Sequence, residues 1–398
     1  TTPVLSSAAS DVYKRQVPNS EVQNTIDLLT AEGWMGDNLR IHASLDRDTR
    51  LIPLSIQAPQ ALPPPLNEFP IIITPGIVED RKRPSWLQLL RDMIGEPLVD
   101  KHRKSWPSSH ELVGDMMILK IEESVREFQP QIIRSKMAAN RNIRLVLEDR
   151  GVKGKYRVRD LRPIGIRENG KIAPVPIGSE YPTKVIVKES GHMIVCDPAS
   201  AYYSTRLQTE RISTAFEARR LSETIGTKIN VADPFCGVGP ALAHLVNIPG
   251  LVSSILASDL NPMAIKLLHE NLSRWIGMPS DTEVTGITEW KKGVWSGVAD
   301  AREILKMDLP IGFWNLLIIN LPHKFIDFLP LVLPLLDSSK PYVVRGRLVC
   351  GNEEIEDIRS LISQYFPDGS DVVVDPRSEY SPNTKLCSVT IRSFASVE

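Results

Sequence analysis

Apolar and polar positions divide the second half of the chain into short strands and longer helices. Strand patterns occur at 229–233, 253–258, 284–288, 315–320, 341–349, 371–375 and 385–392. Helical patterns lie between them at 206–225, 239–247, 262–275, 299–306, 323–336 and 353–365. Regular alternation of strands and helices predicts a doubly wound, mainly parallel sheet. We therefore expect residues 196–398 to form an α/β domain with seven strands.

The first half of the chain is less regular. Residues 17–58 predict a small α/β module, and the proline-rich stretch 59–70 predicts an extended linker after it. Residues 71–195 predict a smaller α+β middle domain, in which 183–196 form a β-hairpin that turns at Ser190-Gly191. The first 16 residues, TTPVLSSAASDVYKRQ, resemble translated sequencing adapter, so we expect them to be a non-native leader outside the fold.

The composition indicates the cellular environment of the protein and its possible partners. The sequence has no apolar run of 18 residues, so no membrane span is expected. Its four cysteines lie far apart without a C-x-x-C pair, which disfavours structural zinc or a disulfide scaffold and suits a reducing cytoplasm. The net charge is −1, but residues 81–170 contain 20 Lys and Arg against 12 Asp and Glu. That local excess fits either an ordinary solvated surface or contact with RNA.

A glycine-rich turn after the first strand of the α/β domain is the first chemical signal. In INVADPFCGVGPALAHL (229–245), a strand ends at Asp233, and Gly237 and Gly239 lead into a helix. Glycines let a ligand approach the backbone closely. Asp-Pro-Phe-Cys-Gly-x-Gly after an apolar strand resembles motif I of class I S-adenosylmethionine (SAM) methyltransferases.

Two acidic positions farther along fit the same cofactor. Asp259 ends the next strand, where a carboxylate can accept both ribose hydroxyls of an adenosine, and Leu260 would lie beside the adenine. Asp300-Ala301 is similar to the acidic-small pair that meets the adenine amino group, although Asp300 also fits an ordinary helix cap.

The fourth strand ends at Asn320-Leu321-Pro322 in LLIINLPHKF (316–325). The carboxyl ends of parallel strands form the binding edge of such a sheet, so Asn320 should face the methyl group. Enzymes that methylate exocyclic amines have Asn-Pro-Pro-aromatic at this point. Here His323 replaces the aromatic residue, which disfavours that chemistry.

The segment CDPASAYYSTRLQTERIS (196–213), taken with these motifs, resembles the archaeal and eukaryotic tRNA (guanine-37-N1)-methyltransferase family. The matching residues are Asp197, Tyr202, Arg206-Leu207, Glu210-Arg211, 233–240, 259–262 and 320–322. The resemblance covers nearly the whole chain after residue 17, and Arg-Leu-x-x-Glu-Arg and Gly-Val-Gly-Pro are its most specific parts. It implies a class I fold, SAM as the cofactor and tRNA as the substrate.

The resemblance also implies roles for individual side chains. Guanine N1 carries a proton at neutral pH, so its methylation needs a base, and Glu210 matches the family's base. An arginine from the middle domain would hold O6; Arg157 is the match and Arg159 the rival. Arg211 would bind the SAM carboxylate. Tyr202, Asn320 and Pro322 would line the base pocket, and no metal is implied.

Two segments depart from the family pattern. His323-Lys324-Phe325 follows Pro322 at once, which shortens a loop beside the base pocket. The stretch 276–298 is longer than usual and contains Trp290 and Trp295. Those tryptophans fit either a packed surface insertion or a platform for stacking RNA bases.

The sequence thus predicts a cytoplasmic, monomeric SAM-dependent tRNA (guanine-N1)-methyltransferase that needs no protein partner or membrane. The alternatives are a wybutosine-pathway aminocarboxypropyl transferase, a guanine N2 RNA methyltransferase and a catalytically inactive RNA-binding subunit.

Overall fold

The computed structural model describes residues 11–36, 39–44, 48–59, 61–77, 84–176, 178–279, 284–381 and 383–393. The chain forms two compact units, Thr1–Gln88 and Leu89–Glu398. None of the helices in the described ranges is long and apolar enough to cross a membrane.

The first unit contains a four-stranded antiparallel sheet and one α-helix. The elements are β1 (Asp11–Pro18), α1 (Val22–Ala31), β2 (His42–Ala43), β3 (Thr49–Pro53) and β4 (Ile71–Pro75). The strand order is β2-β3-β1-β4, so β1 lies inside the sheet between β3 and β4. Buried Val17, Leu29 and Ile52 form part of its core.

The structure differs from the sequence prediction at both ends of this unit. Residues 11–16, expected to lie outside the fold, belong to β1, where Lys14 is fully buried and its Nζ donates to Thr74 Oγ1 at 2.9 Å. Residues 1–10 lie outside the described ranges. The proline-rich stretch 59–70 is no boundary, because Leu62 and Leu66 are buried in the core and β4 then returns to pair with β1.

The first part of the second unit is a five-stranded sheet. Its elements are α2 (Trp86–Ile94), α3 (Glu96–Lys101), β5 (His110–Val113), β6 (Met116–Leu119), α4 (Gln129–Ala139), β7 (Leu145–Lys153), β8 (Val158–Glu168) and β9 (Lys171–Pro174). The strands lie in sequence order, and only β6 and β7 are parallel, with α4 in the connection between them. A separate hairpin follows, β10 (Val185–Glu189) and β11 (His192–Cys196), and both Ser190 and Gly191 have positive φ at its turn, as expected.

The rest of the second unit alternates helices and strands. The elements are α5 (Gln208–Ile225), β12 (Ile229–Asp233), α6 (Pro240–Val246), β13 (Val252–Asp259), α7 (Pro262–Ile276), β14 (Thr288–Lys291), β15 (Val294–Val298), β16 (Leu316–Ile319), α8 (Phe325–Val332), β17 (Tyr342–Gly351), α9 (Ile355–Ser363), β18 (Asp371–Ser381) and β19 (Thr384–Ser393). They form one mixed, mostly parallel sheet in the order β14-β15-β13-β12-β16-β17-β19-β18. The predicted α/β class is confirmed.

The sheet has eight strands in the described residues, not seven. The single strand predicted at 284–288 is replaced by the β14–β15 hairpin, which adds an antiparallel edge strand. Trp290 and Trp295 both pack against the hydrophobic core of this domain, and Trp290 Nε1 donates to the Ser296 carbonyl at 2.8 Å. The packed-insertion interpretation therefore fits these tryptophans, and the stacking platform does not.

The two parts of the second unit share a hydrophobic core. Met116 and Leu145 from the five-stranded sheet lie in the same buried cluster as Val238 and Ala243 from the α/β domain. Burial of this shared apolar surface stabilises one arrangement of the two parts. The cleft between them therefore has fixed walls.

Candidate functional site

The motif residues converge at one edge of the large sheet. The neighbouring parallel strands β13, β12 and β16 end at Asp259, at Asp233 and just before Asn320. The ends of β12 and β16 border a small pocket, the inner cavity, lined by Glu210, Thr214, Asp233, Cys236, Asn320 and Arg347, among others. Three side chains predicted from separate motifs, Glu210, Asp233 and Asn320, therefore meet in one place.

A second opening, the outer cleft, lies between the five-stranded sheet and the α/β domain. Its walls include Glu111, Arg159, Tyr202, Glu210, Arg377 and Tyr380. Glu210 lines both the inner cavity and the outer cleft. A carboxylate at that junction can contact groups bound on either side.

The glycine turn has the backbone geometry that the sequence predicts. Gly237 and Gly239 have φ of 54° and 81°, a region that strongly favours glycine. A Cβ on Gly239 would lie 2.5 Å from Leu268 Cδ1 of α7, so the turn and α7 pack too closely for a side chain. This bare backbone leaves room for a ligand above Asp233.

Asp259 fixes the glycine turn from the next strand. Its Oδ2 accepts the Gly237 N–H at 2.9 Å, and its Oδ1 accepts the Asn261 N–H at 2.8 Å. Burial raises the pKa of Asp259. Leu260 beside it is 40% exposed, an open apolar surface of the kind that a nucleobase can cover. This arrangement fits the predicted adenosine site.

Asp233 is the most strongly perturbed acid of the site. Asp233 is 2% exposed, and its Oδ1 accepts the Phe235 N–H at 3.3 Å. Burial, and to a smaller extent the nearby Asp259 carboxylate, raises the pKa of Asp233 to about 8. A cation placed in the inner cavity would therefore stabilise the charged form of the Asp233 carboxyl group.

The Asp300-Ala301 pair has a different local structure from the one predicted. The helix expected at 299–306 is a turn followed by one short 3-10 helix, Ile304–Lys306. Asp300 forms an ion pair with Arg302, and this hydrogen bond lowers the pKa of Asp300. Ala301 is 5% exposed and belongs to the hydrophobic core. Its adenine contact remains a prediction.

Glu210 lies in the first turn of α5 and is held by arginines from the last strands. Its Oε1 lies 3.1 Å from Arg377 Nε, and its Oε2 lies 3.7 Å from Arg345 Nη2. The side chain is 13% exposed. These contacts hold the carboxylate in place while leaving an edge open to the cleft.

Arg211 lines the inner cavity and forms a buried ion pair on its other side. Its guanidinium is buried against Glu189 of β10, with Nε to Oε1 at 2.6 Å and Nη2 to Oε2 at 2.5 Å. The same Glu189 also contacts His244 and Tyr203, and Arg211 Nη2 donates to the Ser204 carbonyl as well. The pairing with Glu189 holds the guanidinium in a fixed position, and its contact with the SAM carboxylate remains a prediction.

Arg159 lies at the outer cleft, whereas Arg157, the residue matched from the sequence, does not. Arg157 is exposed at the β7–β8 turn with a φ of 51° and lines neither opening. Arg159 lines the outer cleft, donates to Glu111 at 2.7 Å and has its guanidinium carbon 5.5 Å from the centre of the Tyr202 ring. Its Nη1 is buried without a hydrogen-bond partner in the described residues. Tyr202 is placed as predicted, half exposed at the cleft.

The residues that follow β16 lie near both the inner cavity and the outer cleft. Asn320 lines the inner cavity, whereas the Pro322 carbonyl accepts the Val349 N–H at 3.1 Å, which ties the shortened loop to β17. His323 Nε2 lies 2.9 Å from the hydroxyl of Tyr380, which lines the outer cleft. The contact of Pro322 with a substrate remains a prediction.

The sequence did not lead us to predict three arginines of the site, which are Arg345, Arg347 and Arg377. The signal was present, because VVRGRLV (343–349) places two arginines at alternate positions of an apolar strand. Charges on one face of a buried strand require partners or a function. Arg377 carries no such signal, since it comes from the far edge strand β18.

Two segments of the chain match models of known protein families. Residues 185–274 match the family model of the TRM5/TYW2 methyltransferase domain, and residues 90–165 match the TYW2 N-terminal domain. The chain is 30% identical over 183 residues to "tRNA (guanine(37)-N(1))-methyltransferase Trm5b" of Pyrococcus abyssi, an alignment that covers 46% of this chain and 48% of that protein. It is 28% identical over 257 residues to the protein of the same name in Methanocaldococcus jannaschii, covering 62% of this chain and 61% of that one.

These alignments span half to three fifths of the curated relatives. The fold is similar over a longer range: the crystal structure of wild-type Trm5b from Pyrococcus abyssi aligns with a TM-score of 0.58 at 22% identity, covering 96% of this chain and 100% of that chain. The class I fold expected from the motifs is therefore confirmed. Residues 185–274 are accordingly similar to the TRM5/TYW2 methyltransferase domain.

Proposed function

We propose that this protein transfers the methyl group of SAM to N1 of a guanine in tRNA, at position 37 beside the anticodon. The position of Glu210 carries the proposal, because this carboxylate lies where the inner cavity opens into the outer cleft. A base that serves methyl transfer must reach the acceptor nitrogen next to the cofactor. Relatives that bear the name of this activity support the choice of substrate.

SAM would extend from the inner cavity to the end of the neighbouring strand β13. There Asp259 and Leu260 would offer a hydroxyl acceptor and an apolar surface to the adenosine part. When bound, SAM supplies an electrophilic methyl sulfonium. The four described cysteines are free thiols, which supports a cytoplasmic location.

The residues of the outer cleft would prepare the acceptor base. Glu210 would accept the proton from N1, and the electron pair left on N1 would then be available to the methyl group that SAM supplies. Arg159, whose buried Nη1 lacks a partner in the described residues, donates to O6 as negative charge moves onto it. Asn320 positions the base beside the cofactor.

The test combines unmodified tRNA transcript, SAM and the Glu210→Gln variant. The wild-type protein should produce N1-methylguanosine, identified by mass spectrometry of the nucleosides. Glu210→Gln should lose most of this activity, about 10²–10⁴-fold, and keep its affinity for SAM. Glu223→Gln is the matched control, since Glu223 is exposed on the same helix α5.

Two other products would refute the proposal. N2-methylguanosine would indicate exocyclic methylation. The addition of an aminocarboxypropyl group would indicate the reaction of the wybutosine pathway. This product is tested because residues 90–165 match a domain family named for TYW2.

A further inference from the structure

Glu111 is a buried carboxylate that joins the two sides of the outer cleft. It lies on β5 of the five-stranded sheet and is 6% exposed. Its Oε2 accepts a hydrogen bond from Arg159 Nη2 at 2.7 Å, within the same sheet. Its Oε1 accepts the backbone N–H of Thr205 at 3.0 Å, from the α/β domain. One carboxylate therefore contacts both parts of the second unit at the cleft.

The Thr205 N–H belongs to the start of the helical segment that carries Glu210. Thr205 opens a short 3-10 helix that continues directly into α5. The first N–H groups of a helix have no partner within it, and a negative charge beside them is favourable. Glu111 supplies both the acceptor and the charge. Arg206 Nη2 donates to Ser109 Oγ at 3.2 Å, which is a second link between the same two segments.

Arg159 and Glu210 act on neighbouring atoms of the acceptor base in the proposed function. O6 and the carbon-bound N1 of guanine are attached to the same ring carbon, so the donor and the base must be held at a fixed separation. Arg159 comes from the five-stranded sheet and Glu210 from α5. A misplacement of about 1 Å can cost about 10²-fold in rate. A group that ties these two elements together therefore bears directly on the reaction.

Glu111 is a poor candidate for the base itself. Both of its oxygens already accept hydrogen bonds, and it lines the outer cleft but not the inner cavity, whereas Glu210 lines both. The shared hydrophobic core already holds the two parts of the unit together. The two contacts of Glu111 are therefore suited to orienting their partners.

We propose that Glu111 is a positioning residue that orients Arg159 relative to the helix carrying Glu210. The inference rests on the proposed function, since it takes Arg159 as the donor to guanine O6 and Glu210 as the base. Glu111→Gln keeps an acceptor for Thr205 but loses the ion pair with Arg159. With unmodified tRNA transcript and SAM, this variant should lower kcat for N1-methylguanosine formation by about 10- to 100-fold. Its KM for tRNA and its affinity for SAM should stay close to the wild-type values.

A double-mutant cycle with Arg159→Met separates positioning from a purely structural role. If Glu111 acts through Arg159, Glu111→Gln should change kcat of the Arg159→Met enzyme by less than about 2-fold. An equal fold-loss in both backgrounds would overturn the inference and assign Glu111 a structural role. Glu122→Gln is the control and should keep wild-type activity, because Glu122 is exposed and lies close after β6 of the same sheet.

Thr205→Pro tests the contact with the helix. Proline lacks the N–H and suits the first position of a helix, and Ser204 before it is extended with φ of −139° and ψ of 128°, as a following proline requires. This variant should also lower kcat while keeping its affinity for SAM, and full activity would overturn the link to α5. If the wild-type protein forms no N1-methylguanosine, the proposed function fails and this inference with it. Equal losses in an active enzyme would overturn the inference alone.

Discussion

Asp233→Asn should stabilise the protein at neutral pH. The wild-type side chain is buried, and burial raises its pKa to about 8, far above the ordinary aspartate value of 3.8. A folded pKa above the unfolded one means that, between these two values, the folded protein binds a proton that the unfolded chain releases. The stability of the wild-type protein therefore falls as pH rises from about 4 to 8 and levels off above that.

The size of the effect follows from the same two pKa values. Each pH unit between them costs the wild-type protein about 1.4 kcal/mol. From the unfolded pKa to pH 7 this amounts to about 4 kcal/mol, an upper estimate because the buried site can relax. Asparagine has nearly the same shape as aspartate and does not ionise. The unfolding free energy of the variant therefore should not show this fall with rising pH.

Urea unfolding at pH 5, 6 and 7, followed by tryptophan fluorescence, measures this difference. The gap in unfolding free energy between Asp233→Asn and wild type should widen by about 1.4 kcal/mol per pH unit. Asp308→Asn, at an exposed aspartate, should show no such trend. A gap that stays constant with pH would refute the electrostatic reasoning. The more stable variant should bind SAM more weakly, since Asp233 belongs to the motif that the sequence predicts for the cofactor site.

Three further substitutions test the site. Gly239→Ala should destabilise the protein by about 1–3 kcal/mol in urea unfolding, because alanine is strained at a φ of 81° and its Cβ would clash with Leu268; unchanged stability would contradict the close approach. Glu189→Gln should cost about 3–5 kcal/mol by leaving Arg211 buried without its counter-ion, and a loss below 1 kcal/mol would contradict that pairing. Arg159→Met should slow N1-methylguanosine formation far more than Arg157→Met does. The reverse order would support Arg157 as the arginine that contacts guanine O6.

The strands and the backbone motifs were predictable because their signals are local. An apolar strand, a glycine turn and an acid at a strand end each depend on a few adjacent residues. Asp233, Gly237, Gly239 and Asp259 accordingly occupy the positions that the sequence predicts. The edges of the elements were less predictable. The proline-rich stretch stays within the first unit because Leu62 and Leu66 anchor it, and anchoring depends on a core assembled from distant segments.

Arg211 and Arg347 show why the pattern of charges could not be predicted from the sequence. Arg211 follows the predicted base directly, and its sequence context made it the natural receptor for a carboxylate. It is neutralised by Glu189, 22 residues earlier, across the β10–β11 hairpin. Arg347 is more than a hundred residues from either and lines the inner cavity together with Glu210, without an ion pair as close as that of Arg211 among the described residues. Which of two buried arginines remains available to a ligand depends on where the nearest carboxylate folds, and only the tertiary structure determines that position.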